Sequence, residues 1–341
     1  MSIEIESVDL AAASEETLRA LAALYDVLDA EDLPDDPPEP IEHRMLDLRR
    51  TFARFPTHRW ALTDNGQVVA AAVTHYDVEE NLENGFGRIA VHPSYRGRGH
   101  ARRLAAPILD HLSAAGRTRV ETWITNGHPA ETLAENLGLK RALSERRSRL
   151  LIADLDVAMM SEWVDRASQR AGDYELQAMT SPFPEEHLEQ FCEMMTVMNT
   201  APLEDYVMDD EHITAGDWRD IESEVMASRC QINNLTAVHR PSGAFVGYTQ
   251  VKTQDLQPDL AWQWDTGVHP DHRNKGLGRW LKADMILRII GDYPDVCRID
   301  TENAASNQPM LNINLAMGFK PIHDTFIWQG ELTTVRERLG V

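Results

Sequence analysis

Two stretches of this chain have the residue types and spacing to hold a phosphate group. Residues 91–101 read Val-His-Pro-Ser-Tyr-Arg-Gly-Arg-Gly-His-Ala, and residues 268–278 read Val-His-Pro-Asp-His-Arg-Asn-Lys-Gly-Leu-Gly. In each, a strand-like run ends in Val-His-Pro, a turn and an Arg-x-x-Gly-x-Gly/Ala loop follow, and a helical pattern begins. The first turn of a helix leaves four backbone N–H groups without internal partners at the positive end of its dipole. A small-residue loop placed there lets an anion approach the backbone closely. Gly99 and Ala101, and Gly276 and Gly278, are small where a larger side chain would obstruct that approach, and Arg96, Arg98, Arg273 and Lys275 add positive charge. Neither loop is the Gly-x-Gly-x-x-Gly dinucleotide fingerprint, and neither has the Gly-Lys-Ser/Thr of a nucleotide P-loop.

Both loops need a strand to deliver them and a helix to receive them. In the first half, residues 14–29 and about 42–54 show helical periodicity, with an acidic, proline-bearing loop at 29–42 between them. A hairpin turns at Asn65-Gly66. The strand Gly-Arg-Ile-Ala-Val-His-Pro leads into the loop, a helix spans 98–115, and Arg-Val-Glu-Thr-Trp-Ile-Thr is a strand. A short helix at 129–137 and an extended stretch at 140–153 complete the half. The second half repeats the order: helices near 184–199 and 214–228, a hairpin at 233–252, the strand Leu-Ala-Trp-Gln-Trp-Asp-Thr-Gly-Val, a helix over 276–290, the strand Cys-Arg-Ile-Asp-Thr-Glu, a helix near 306–317 and a terminal strand pair at 319–332. One offset of 177 residues relates Arg96 to Arg273, Asn65-Gly66 to Ser242-Gly243, and Asn126 to Asn303. The chain therefore reads as a duplicated mixed α/β domain, with halves at 1–153 and 174–341 and a linker at 154–173. The helix stripes Leu104, Ile108, Leu112 and Leu277, Leu281, Met285, Ile289 are the faces expected to pack on the sheets. Pro107 interrupts the first of these helices and is expected to kink it.

With 341 residues, two domains of ordinary size are expected. The formal net charge of −22 repels phosphate backbones and anionic lipid, which excludes nucleic acid and membrane as expected partners. The first residues lack the basic-then-apolar pattern of a signal peptide, and the three cysteines form no disulfide framework or zinc motif, so a reduced, cytoplasmic setting is expected. His92 and His269 sit within the loops but make no metal-ligand spacing, so no metal is expected.

Val-x-Pro-x-x-Arg-x-x-Gly-x-Gly/Ala, following a strand and opening a helix, resembles the acyl-CoA loop of the GNAT N-acetyltransferase superfamily. The resemblance covers both halves, in the tandem layout of two-domain members where one half does the chemistry and the other is degenerate. It implies two tandem GNAT domains with acetyl-CoA as co-substrate. The backbone amides of Arg96, Gly97, Arg98, Gly99, His100 and Ala101, and of Arg273, Asn274, Lys275, Gly276, Leu277 and Gly278, would hold the CoA pyrophosphate. Val91 and Val268 at the strand ends would pair with the pantetheine arm, and Asn303 and Asn307 open toward it. The superfamily's usual acid is a Tyr four residues before the Gly of a Gly-Phe pair. Here those places hold Ala134 and Asn314, so that acid is missing from both halves.

Acetyl transfer to an amine needs a base, a polarised carbonyl and a proton for the leaving thiolate. The second half is the richer in such groups. Asp265 precedes its loop, where the first half has Arg88, and Asp300 and Glu302 share a strand face. Asp265 or Glu302 is the expected base, and Tyr248 is a reserve acid, though such a Tyr is more often core. Trp262 and Trp264 alternate onto one face as pocket walls or, more commonly, core. Asp29, Glu31, Asp32, Asp35 and Asp36 could attract a cationic amine, but a charge run is usually solvated surface. The expected activity is direct acetyl transfer in a ternary complex to the primary amine of a small molecule, mainly in the second half. An acyl-CoA-binding sensor or scaffold is the alternative that the missing Tyr favours, and an aminoacyl-tRNA-dependent transferase is disfavoured by the charge. Paired domains can mimic a dimer, so a monomer is expected.

Overall fold

The computed structural model describes residues 3–10 and 12–341. In chain order the first repeat forms β1 (Ile3–Val8), α1 (Glu15–Asp32), α2 (Ile41–Arg49), β2 (Thr57–Asp64), β3 (Gln67–His75), β4 (Asn84–Val91), α3 (His100–Ala114), β5 (Arg119–Thr125), α4 (Ala130–Leu137) and β6 (Lys140–Leu151). After α5 (Val157–Arg170), the second forms β7 (Tyr174–Thr180), α6 (Glu185–Met195), α7 (Ala215–Ala227), β8 (Cys230–His239), β9 (Ala244–Gln254), β10 (Leu260–Val268), α8 (Leu277–Asp292), β11 (Arg298–Ala304), α9 (Gln308–Met317), β12 (Lys320–Glu331) and α10 (Leu332–Leu339). The mixed α/β order read from the repeat is therefore present twice.

The compact units are not simply the two sequence halves. Unit 1 comprises residues 1–143, 204–209 and 325–341; unit 2 comprises 144–203 and 210–324. The cause is an exchange of last strands. In unit 1, β5 pairs antiparallel with β12, from Thr125↔Thr325 to Arg119↔Glu331. In unit 2, β11 pairs antiparallel with β6, from Arg298↔Leu151 to Ala304↔Glu145. Each repeat thus supplies the strand that completes the other repeat's sheet. The stretch expected as a linker contains α5, which buries Met160 against Leu281 and Met285 of α8. The end of the chain holds one long strand and a helix rather than a strand pair, because 320–331 has no turn-forming pair to break it.

Each sheet is covered on both faces. In unit 1, Leu104, Ile108 and Leu112 of α3 pack with Leu62, Val120 and Trp328 on one side, and Leu18, Leu21 and Leu28 of α1 pack on Ala61, Ala71 and Ala90 on the other. In unit 2, Leu277, Leu281, Met285 and Ile289 of α8 join Leu235, Val251 and Ile299, while Phe191, Trp218 and Tyr248 form the second core. The four α8 residues are each at most 1–2% exposed, as their spacing requires. α3 runs on through Pro107 as one helix.

Candidate active site

The β10–β11 ladder in unit 2 is parallel from Leu260↔Arg298 to Gln263↔Thr301 and then stops. β10 continues against β9 as far as Val268, so β10 and β11 part company beyond Gln263 and Thr301. A cleft of about 530 Å³ opens there, lined by Gly267, Val268, Asn307, Met310 and Ile313 and by Val197, Met198, Thr200, Ala201 and Pro202. Glycine at 267 is what lets the covering turn lie against the strand: a Cβ there would sit 2.2 Å from Val197 Cγ1. In unit 1 the parallel β4–β5 ladder stops in the same way after Phe86↔Glu121. Its cleft, about 450 Å³, is lined by Gly87, Val91, Ala101, Ala130 and Leu133, with Leu28 and Glu31 of α1 alongside.

The two expected loops lie at the bases of these clefts with matching geometry. His92 Nδ1 accepts from Ser94 N at 3.2 Å, and His269 Nδ1 from Asp271 N at 3.3 Å, so the loop histidines cap the short turns that follow them. Arg96 Nε donates to Val91 O at 3.2 Å and Arg273 Nε to Val268 O at 2.9 Å. Gly99 and Gly276 are the N-caps of α3 and α8 at φ of 80° and 82°. No atom lies within 4 Å of a Cβ built on either, so torsion rather than crowding within the protein selects glycine there.

The loops differ in charge. Glu31 of α1 takes Arg96 in a bidentate pair at 2.7 and 2.5 Å, and that hydrogen bonding holds the Glu31 carboxyl below its usual range. Arg98 folds onto Ser94 O at 2.9 Å. In unit 2, Arg273 donates instead to the neutral Thr200 hydroxyl at 2.5 Å, and Lys275 reaches Tyr174 Oη at 2.7 Å. The second cradle therefore keeps its positive charge. Of the acidic run expected to attract an amine, Glu31 binds Arg96 and Asp29 binds Arg44.

Tyr248, Asp265 and Glu302 fall on the face of unit 2's sheet against which Phe191 and Trp218 pack, whereas Asn314 of α9 meets Asn303 on the opposite face. β10 has a bulge between Gln263 and Thr266, so Trp264 and Asp265 together stand against one residue of β9. Tyr248, fully buried, donates to Asp265 Oδ2 at 3.4 Å. Burial pushes the Asp265 carboxyl up, and burial with the Asp265 charge drives Tyr248 well above the usual phenol value. A phenolate left there would face a carboxylate without solvent, so Tyr248 positions Asp265 and is poorly suited to give up its proton. Trp262 and Trp264 are half-buried, and Trp264 packs against the core that holds Phe191 and Trp218.

Glu302 is the first β11 residue past the ladder with β10. Its carboxyl is raised, chiefly by desolvation, with Asp300 adding to the rise and Arg147 opposing it. Asp300 is wholly buried between Arg147, at 2.6 Å, and Arg149, at 2.6 Å, so both of its carboxylate oxygens are already taken. Asn314 Nδ2 donates to Asn303 Oδ1 at 2.6 Å, while Asn314 Oδ1 is buried without a partner. Asn307 caps α9 by accepting from Met310 N at 3.3 Å.

Sequence reasoning missed Glu145, Arg147 and Arg149, because all three belong to the first repeat. The signal was present: charges at alternate positions of β6 must share a face. Their assignment to unit 2 was not visible, since strand exchange leaves no mark in a repeat pattern. The expectation of no metal rested on the loop histidines and the three cysteines. Away from them, Glu39, His43 and Asp47 place ligand atoms within 4.8 Å of one another, but Arg44 binds Glu39 at 2.8 Å and makes this an ion-pair network.

Residues 21–139 and 190–319 each match the model of the acetyltransferase (GNAT) family. The chain is similar to a mycothiol acetyltransferase from Saccharomonospora viridis, at 32% identity over 332 residues, covering 86% of this chain and 95% of that one. A mycothiol acetyltransferase from Streptosporangium roseum is 37% identical over 86 residues, 24% of either chain. Among solved structures, a tandem GNAT protein from the clavulanic acid biosynthesis pathway superposes with a TM-score of 0.78 at 24% identity, covering 96% of this chain and 99% of that one.

Proposed function

The chain belongs to the acetyltransferase (GNAT) family, and from that premise we propose that it transfers acetyl from acetyl-CoA directly to the primary amine of a small molecule, in unit 2. The observation that carries this reading is the acidic face beside the unit 2 cleft. Glu302 and Asp300 stand where unit 1, at the 177-residue spacing, has Thr125 and Trp123. At these two strand positions only unit 2 has groups able to take a proton from an incoming ammonium.

The residues present fit acetyl-CoA. The left-handed glycine and free first turn of α8, with Arg273 and Lys275, suit a pyrophosphate, and the opening between β10 and β11 suits an extended arm. Bound there, acetyl-CoA supplies the thioester. The β10 bulge takes a residue out of the ladder beside the opening, where its N–H can polarise a thioester carbonyl. The β3–β4 ladder of unit 1 runs without a bulge from Ala70↔Val91 to His75↔Phe86. Unit 1 is accordingly read as a cleft for acyl-CoA without turnover.

The similarity to mycothiol acetyltransferases makes the mycothiol precursor amine the first acceptor to try, followed by glucosamine and spermidine. The test is calorimetric titration of acetyl-CoA, with turnover, into the native protein, Gly276→Glu and Gly99→Glu. Loss of turnover only in Gly276→Glu supports unit 2. Loss only in Gly99→Glu assigns the chemistry to unit 1, and a native protein that binds no acetyl-CoA overturns the reading.

A further inference from the structure

Resting on the reading above, we propose that Glu145, carried into unit 2 by the exchanged strand β6, is the residue that takes the acceptor's proton, with Glu302 as its partner carboxylate. The register places both on one face. Glu302 lies opposite Arg147, and Glu145 lies opposite Ala304, two residues further on. They are diagonal neighbours on adjacent strands, a relation that puts Cα atoms roughly 7–8 Å apart. Both stand alongside β11 after β10 has left it, where the opening begins.

The charged groups around the pair explain why it is not already satisfied. On the same strand, Arg147 and Arg149 are both held by Asp300 of β11. Arg147 also lies over the Trp262 ring of β10, at 4.4 Å. From β9, Lys252 approaches the Trp264 ring at 6.0 Å. From β12, Asp324 is taken by Arg146. Asp265 of β10 has Tyr248. Among the described residues no side chain donates to or pairs with the Glu145 carboxylate. Burial first, then the Glu302 charge, lifts its carboxyl to about 7, and two carboxylates so placed favour holding one proton between them.

The step balances as follows. An acceptor arrives as R–NH3+ and gives one proton to the Glu145 carboxylate. The free amine forms a bond to the thioester carbonyl carbon, and the C–S bond breaks with its electron pair on sulfur. The nitrogen loses a second proton, which ends on the thiolate as CoA–SH, and Glu145 returns its proton to solvent. No acid at the Asn314 position is needed, because the proton for sulfur comes from the nitrogen. The acceptor class is therefore amines that are ammonium ions at neutral pH, since only these need such a base.

The experiment follows thiol release from acetyl-CoA with glucosamine, spermidine and the mycothiol precursor amine between pH 5.5 and 9, for the native chain, Glu145→Gln and Glu302→Gln. Acetyl-CoA calorimetry and thermal unfolding accompany each. A positioned base contributes about 100-fold or more, so Glu145→Gln should lose about that in kcat with acetyl-CoA affinity unchanged. The native kcat/KM profile should show an acid limb near pH 7 that Glu145→Gln lacks. Glu302→Gln should move the limb to lower pH, since a like charge is removed. A native protein inert toward all three amines overturns the function reading and takes this inference with it. A native protein that is active while Glu145→Gln stays within about threefold overturns the inference alone. Should Glu145→Gln fail to fold, Glu302→Gln decides: a shifted limb supports the pair, and an unmoved limb overturns it.

Discussion

Units 1 and 2 share one backbone plan and differ in where charge is left unpaired. Both have strands that part after a short parallel ladder, a left-handed glycine opening a helix, and an arginine folded back onto the strand-end carbonyl. Unit 1 neutralises its arginine with Glu31, runs its ladder unbroken, and presents Trp123 and Thr125 at the opening. Unit 2 leaves its cradle cationic, breaks the ladder with a bulge, and presents carboxylates from two strands. The difference teaches that a duplicated fold preserves the geometry of phosphate binding more readily than the electrostatics of proton transfer. A cradle is made by torsion angles, whereas a base needs an uncompensated charge held away from water.

The sharpest way to break this comparison is turnover in the two glycine variants. Gly276→Glu places a carboxylate where the pyrophosphate is expected and should reduce turnover by about 100-fold or more, whereas Gly99→Glu should change it less than threefold. Equal losses would mean that the units act together, and the contrast in their faces would lose its functional meaning.

A stability contrast comes next. Asp300 is 0% exposed and bonded to two arginines, so Asp300→Ala removes the carboxylate that both cations share and should cost about 3 kcal/mol. Trp123 occupies the equivalent place at 50% exposure, and Trp123→Ala should cost under about 1 kcal/mol. Thermal-unfolding midpoints of the two variants check this. A small effect at Asp300 would show that the arginines re-pair, with Glu302 the nearest candidate.

How far such contrasts could be read in advance differed by kind of residue. The loops, the hairpins and the apolar stripes of α3 and α8 were legible because each depends on neighbours a few positions away. The Asp300 and Glu302 face was legible from period two along β11. The strands β1 and β7 were not identified, as each is short and has weak alternation. Glu145 was beyond reach for a different reason: its partner strand lies some 150 residues away, and nothing local to 140–151 distinguishes pairing with β5 from pairing with β11. The bulge at Trp264 and Asp265 was equally hidden, since it is a property of register between two strands.

The contrast in carboxylates has its own pH signature. Glu145 is held near 7 against about 4.5 for an unperturbed Glu, so the native state binds the proton more tightly than the unfolded chain does. Its favourable contribution is complete below the unfolded value and is lost as pH rises through 7. Glu145→Gln removes that penalty and should stabilise the protein at pH 8 by roughly 1 kcal/mol, with most of the gain gone by pH 5. The figure is below the full linkage because the side chain is partly exposed and its charge is partly screened by solvent. Thermal unfolding of both proteins at the two pH values decides it, and a gain that is the same at both would remove Glu145 from the titrating groups.

The smallest effect concerns the other cradle. If Glu31 is what distinguishes the two arginines, Glu31→Gln should free Arg96 and make unit 1 bind acetyl-CoA about two- to fivefold more tightly, the range expected for a partly exposed ion pair. The measurement belongs in the Gly276→Glu background, where unit 2 is silenced and calorimetry reports unit 1 alone. Because Arg96 holds the Glu31 carboxyl below its usual range, the pair persists through neutral pH and weakens only as pH falls through that lowered value. The gain should therefore be full at pH 7 and shrink in strongly acidic buffer, and raising the salt should diminish it as well. An unchanged affinity would place the difference between the units in the face and the bulge rather than in the loop.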